Sequence, residues 1–203
     1  MWAKRFTTIL GVCLLGGMGL LGQHGAMAVT VDDFERAEPG IPSSPVSTVS
    51  IIDIDQPPAT GKVLCVAWPD THPIFVETNY AKPIPMTTKA GELSALRFDL
   101  WTPAAPSIAQ VNMRILDARG QVFQWVLKIP PQPSAGWRTF VIPLDVTLAQ
   151  FWAGPNDGKL VHPMKLFGFT WNFANTRIPA GQLLVDNIRL EPHPSDRKST
   201  RLN

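Results

Sequence analysis

Few side chains in this chain of 203 residues can do acid–base or metal chemistry. Of the four histidines, His24 falls in an apolar N-terminal segment and His193 near the other end. That leaves His72 and His162, each close to a proline in loop-like sequence. Asp70 and His72 stand two apart in Trp68-Pro69-Asp70-Thr71-His72, where they could meet. Nothing else supplies a nucleophile elbow, a zinc-type His-Glu-x-x-His helix, a phosphate loop or paired metal-binding cysteines. Two-carboxylate glycoside cleavage needs acids about 5–10 Å apart across a sugar. Glu77, Asp99 and Asp117 are available, but strand faces and turns account for each of them. The residues alone give no support for an enzyme.

The aromatic residues point to binding. A flat, exposed indole offers an apolar face to the C–H side of a sugar ring, and polar neighbours can then read its hydroxyls. Apart from Trp2 near the start, six tryptophans remain, and packing is the default for most of them. Trp125 alternates with Phe123 and Leu127, Trp137 opens an apolar strand, and Trp171 sits in the run Phe167, Phe169, Trp171, Phe173. Trp101 lies on the Arg97/Asp99 side of its strand, and Trp68 and Trp152 border loops. These three, with Tyr80, are the candidate ligand platforms. Arg97, Arg114, Gln124 and Asn172, on strand faces opposite the apolar ones, are candidate polar partners.

The elements that must position them are strands. Segments 48–54, 62–68, 93–101, 111–115, 121–129, 137–144, 166–173 and 183–190 are apolar, β-branched or alternating. Asp117-Ala118-Arg119-Gly120 joins two of them as a hairpin turn. Residues 41–60 read mainly as Pro/Ser/Thr-rich loop around one strand, and only 144–152 could form a helical turn. Short strands with Pro- and Gly-rich connections imply an all-β, antiparallel β-sandwich or jelly roll.

The ends stand apart from this domain. Lys4 and Arg5, the apolar run 6–21 and Ala26-Met27-Ala28 form the three parts of a secretory signal, so residues 1–28 are expected to be removed and Val29 to begin the mature domain. Residues 196–203 (Asp196-Arg197-Lys198-Ser199-Thr200-Arg201-Leu202-Asn203) resemble the translation of a sequencing-library adapter and are expected to be foreign to the protein. The domain is then 29–195, with more protein expected to follow it. The formal charge of +2 contains +2 from Lys4 and Arg5 and a net +2 from the tail, which leaves −2 for residues 29–195. The pI near 8.7 is therefore no argument for nucleic acid or an anionic membrane as partner. Cys65, the one cysteine left, reads as a buried free thiol.

Three segments resemble the galactose-binding-like jelly-roll family, which includes many carbohydrate-binding modules. They are the opening Val31-Asp32-Asp33-Phe34-Glu35, the central stretch from Gly136-Trp137 to Ile142-Pro143-Leu144, and the closing Leu184-Val185-Asp186-Asn187-Ile188-Arg189-Leu190. They occur in the family's order across the whole domain. The resemblance implies a non-catalytic sugar-binding module, secreted, periplasmic or at the cell surface, whose partner is a polysaccharide or oligosaccharide. It also implies a structural Ca2+ between the chain ends, with Glu35 and Asp186 as ligands and Asp33 behind them. Asn187 stands where the family has a second acid. The competing expectations are a structural or adhesive surface module, and a fragment of a glycoside hydrolase or lyase whose catalytic residues lie beyond residue 195.

Overall fold

The computed structural model describes residues 28–36, 44–45, 47–56, 59–69, 75–86, 94–104, 108–131, 133–173 and 179–192. The expected leader before residue 28, Asp70, His72 and the tail 196–203 lie outside them. Among the described residues no helix is long and apolar enough to cross a membrane.

The described chain is all-β. Its strands are β1 (Val29–Asp32), β2 (Thr48–Gln56), β3 (Ala59–Trp68), β4 (Phe75–Met86), β5 (Ser94–Thr102), β6 (Ile108–Leu116), β7 (Val122–Lys128), β8 (Gly136–Pro143), β9 (Gln150–Trp152), β10 (Met164–Phe173) and β11 (Gly181–Pro192). They form two antiparallel sheets, a sandwich of the expected class. The first runs β2-β3-β11-β5-β8, with β1 also paired to β11. The second runs β4-β10-β6-β7-β9. The long β11 takes β3 along 181–185 and β1 along 188–190, so both ends of the domain meet in one sheet.

The period-two pattern decides which residues lie between the sheets. Leu96, Phe98 and Leu100 of β5 are fully buried, as are Val111, Met113 and Ile115 of β6. Aromatic rings bridge the layers: Phe98 lies 5.7 Å from Phe169, and Trp68 meets Phe173 edge-on at 4.9 Å. Trp125 and Trp171 belong to this core, and Cys65 is a buried free thiol.

Three local expectations change. The possible helical turn at 144–152 is one 3-10 turn, Val146–Leu148, capped by the Asp145 carboxylate on the Thr147 N–H at 2.9 Å, followed by β9. The strand β4 was not read from the sequence. On β10, Phe167 does not share the face of Phe169, Trp171 and Phe173. The register of β10 slips between Leu166 and Gly168 against both neighbours. Leu166 and Phe169 are both in the core, so the bulge turns Phe167 and Gly168 away from it.

A candidate ligand-binding face

Register across the second sheet brings polar side chains from distant parts of the chain into rows on its outer face. One row reads Phe75, Asn172, Gln110, Lys128. The next reads Glu77, Thr170, Asn112, Val126, and the third Asn79, Gly168, Arg114, Gln124, Gln150. A fourth runs Lys165, Leu116, Val122, Trp152. Strands lie about 4.8 Å apart, so the face spans about 19 Å from β4 to β9, enough for several sugar units.

These groups hold one another in place. Gln110 Nε2 donates to Asn112 Oδ1 at 2.7 Å, and Gln124 Nε2 to Gln150 Oε1 at 3.1 Å. In the middle Arg114, only 7% exposed, donates from Nη2 to Glu77 Oε1 at 2.7 Å and to the Thr170 hydroxyl. Its buried Nε–H has no acceptor among the described residues. Exposed aromatic rings stand at opposite corners: Phe75 on β4 and Trp152 on β9. The face thus carries side-chain amides, several of them held by hydrogen bonds, between two apolar platforms. It offers no pair of acids for hydrolysis, because Glu77 is the one carboxylate in these rows and is bound to Arg114.

The loop that follows Trp152 is tied to the β6–β7 turn. Buried Asp117, in the β6–β7 turn, accepts the N–H groups of Arg119 and Gln121 on Oδ1, each at 2.8 Å, and that of Val161 on Oδ2 at 3.3 Å. Arg119 grips Asp157 with two hydrogen bonds of 2.8 Å and holds that carboxyl well below the usual range. Gly154, at φ +51°, packs on the backbone of residues 119–121, where a Cβ would come within 2.8 Å of the Gln121 nitrogen.

Four of the eight sequence candidates (Arg114, Gln124, Asn172 and Trp152) meet on this face. The other four do not. Trp68 is 3% exposed and donates from Nε1 to Pro179 O at 3.0 Å; its ring fills the gap beside Gly181. Tyr80 is 2% exposed, and its hydroxyl donates to Asp32 Oδ2 at 2.8 Å, with burial and the Asp32 charge raising its pKa. Both rings are therefore largely covered by the protein itself. Trp101 and Arg97 lie on the other sheet. Trp101 sits opposite Trp137 and packs in a second apolar cluster with Ala59, Val63, Cys65 and Leu184; Arg97 pairs with Glu191 at 3.8 Å. Sequence reasoning missed Phe75, Gln110, Asn112, Thr170 and Gln150. For Gln110 and Asn112 a signal existed, since they alternate with Val111 and Met113.

The acids expected to bind calcium have other occupations. Glu35 Oε1 accepts the Lys62 N–H at 2.7 Å, and Asp186 Oδ1 accepts the Asn187 N–H at 2.6 Å. Among the described residues, no group of three or more His, Cys, Asp or Glu is arranged to hold a metal ion. Burial raises the Asp186 carboxyl to about 6; the Asn187 N–H opposes this, while the charges of Asp99, Glu35 and Asp33 add to it. A group that holds its proton more tightly when folded favours the fold most below about pH 4 and loses that contribution as pH rises through its folded value. Stability relative to Asp186→Asn should therefore fall between pH 4.5 and 7.5, by at most about 2 kcal/mol. Urea unfolding of both proteins at the two pH values measures it. A difference that does not change with pH would show that the carboxyl titrates normally.

No protein-family model and no curated protein matches the chain. Solved structures do. A family 11 carbohydrate-binding module from Clostridium thermocellum, in complex with a β-1,3-1,4-mixed-linked tetrasaccharide, matches 81% of this chain and 95% of its own, with TM-score 0.53 and 20% identity. A solution structure of a family 11 module matches 86% of this chain and 99% of its own, with TM-score 0.54 and 18% identity. An exo-β-agarase matches 84% of this chain with TM-score 0.57 and 15% identity, and this chain spans only 26% of that enzyme. The chain thus shares the antiparallel jelly-roll fold of these structures.

Proposed function

We propose that this domain is a non-catalytic carbohydrate-binding module and that its ligand, a polysaccharide or oligosaccharide, lies across the outer face of β4-β10-β6-β7-β9. The observation that carries the reading is this face, where side-chain amides held by hydrogen bonds lie between exposed rings at opposite corners. The shared jelly-roll fold supports it. The signal-like start supports export to the outside, the periplasm or the cell surface. There the module would hold an attached glycan-active domain near its substrate by raising effective concentration.

Affinity electrophoresis against neutral β-glucans and agar-type galactans tests the reading. Trp152→Ala and Asn112→Ala should each weaken retardation about tenfold, equivalent to about 1.4 kcal/mol. Arg97→Ala, on the opposite sheet, should bind like the unaltered protein. If no glycan retards the protein and it self-associates through Phe75, Val126 and Trp152, it is an adhesive module instead. Cleavage of a glycan by the isolated domain would make it an enzyme.

A further inference from the structure

On the outer side of the first sheet, Asp99 of β5 and Asp186 of β11 are directly opposite in register, and both are buried, at 7% and 5% exposure. Two carboxylates so placed repel each other unless a proton, a cation or hydrogen-bond donors lie between them. The residue between them is Asn187. Its Nδ2 donates to Asp99 Oδ2 at 3.1 Å and to Asp186 Oδ2 at 3.2 Å. A side-chain amide has two N–H donors, one for each carboxylate. Its Oδ1 accepts from Arg189 Nη2 at 2.9 Å, which places a full positive charge behind the amide dipole. Thr139 supplies a further donor to Asp99 Oδ1 at 2.6 Å.

The backbone is shaped for this contact. Asn187 has φ +52°, in the left-handed region that asparagine tolerates better than most residues, and the β11–β5 register shifts between Asp186 and Arg189. We propose that the Asn187 amide, backed by Arg189, takes the place of a cation between Asp99 and Asp186 and makes the clasp between β5 and β11 independent of metal. This does not rest on the sugar-binding reading.

Thermal unfolding of the purified protein at pH 7.5, with EDTA or with CaCl2, is the test. The unaltered protein should melt at the same temperature in both. Asn187→Gly keeps the backbone conformation and removes only the amide; its Tm should fall by about 5 °C, and calcium should not restore it. Asn187→Asp puts a third carboxylate where the amide was. It should lose a similar amount and recover it either in CaCl2 or on acidification to pH 5. A Tm of the unaltered protein that drops in EDTA overturns the proposal. So does an Asn187→Gly protein as stable as the original, or an Asn187→Asp protein that neither calcium nor acid stabilises. If Asn187→Asp does not fold, the EDTA comparison and Asn187→Gly decide the matter.

Discussion

Trp171→Ala should cost about 3–5 kcal/mol of stability, the range for emptying a buried tryptophan site. Trp171 is fully buried on β10, between β4 and β6 in the second sheet. Its ring lies 5.2 Å from that of Phe169, nearly parallel, and its Nε1 donates to the Thr78 hydroxyl at 3.1 Å. Alanine removes the ring and leaves the fully buried Thr78 without that donor. Trp171→Phe retains most of the volume and should lose about 1–3 kcal/mol. Since domains have only about 5–15 kcal/mol in total, the alanine variant should show a clear fall in urea midpoint. A loss below about 1 kcal/mol would mean that the two sheets do not pack around this ring. Thr170 and Asn172, its neighbours in sequence, face the proposed ligand, so glycan affinity should fall with stability.

Asp117→Ala should have the second-largest effect, about 3 kcal/mol, and it should also weaken glycan binding. One carboxylate, 2% exposed, satisfies three backbone N–H groups and lies 3.6 Å from Arg119 Nε. Hydrogen bonds to a charged acceptor contribute more than neutral ones, and a donor left buried costs about 1–3 kcal/mol. Removing the carboxylate leaves the β6–β7 turn bonded to Val161 only through the Ala118 N–H, at 3.0 Å from the Val161 carbonyl oxygen, and loosens the loop that follows Trp152. Asp117→Asn can still accept hydrogen bonds at Oδ1 and should lose about 1 kcal/mol. Urea unfolding and affinity electrophoresis on the same two variants separate the effects. If Asp117→Ala lowers stability but leaves binding intact, the loop does not position Trp152.

The fold class could be read because inward positions recur every second residue: Leu96, Phe98 and Leu100 announce their strand on their own. The strand β4 could not. Its second half, Ala81-Lys82-Pro83-Ile84-Pro85, carries two prolines, which are compatible with a strand only at a sheet edge, and the sequence does not say which strand is at the edge. Phe167 misled as well. Strict alternation assigns it to the core, and the mark of the bulge in the local sequence is Gly168, a glycine inside a strand pattern. Tertiary placement sets half of the ligand candidates away from the proposed face. Trp68 borders loop-like sequence and Tyr80 is the one tyrosine of the chain, yet their rings are covered by Phe173 and Gly181 in one case and by the opening segment at Asp32 in the other. The candidate face itself joins residues from 75 to 172. Only knowledge of which strands share a sheet could bring Glu77, Arg114 and Thr170 together.

The edges of the second sheet have a bearing on behaviour at high concentration. A flat, exposed strand invites another chain to add to it and can seed fibrous aggregates. Here one lateral edge is β4, with exposed Lys82, Pro83 beside it and Pro85, which has no N–H to donate. The other is β9, only three residues long and followed by a tight loop with Gly154 and Gly158 at positive φ. Addition of another chain at either edge of this sheet is therefore disfavoured.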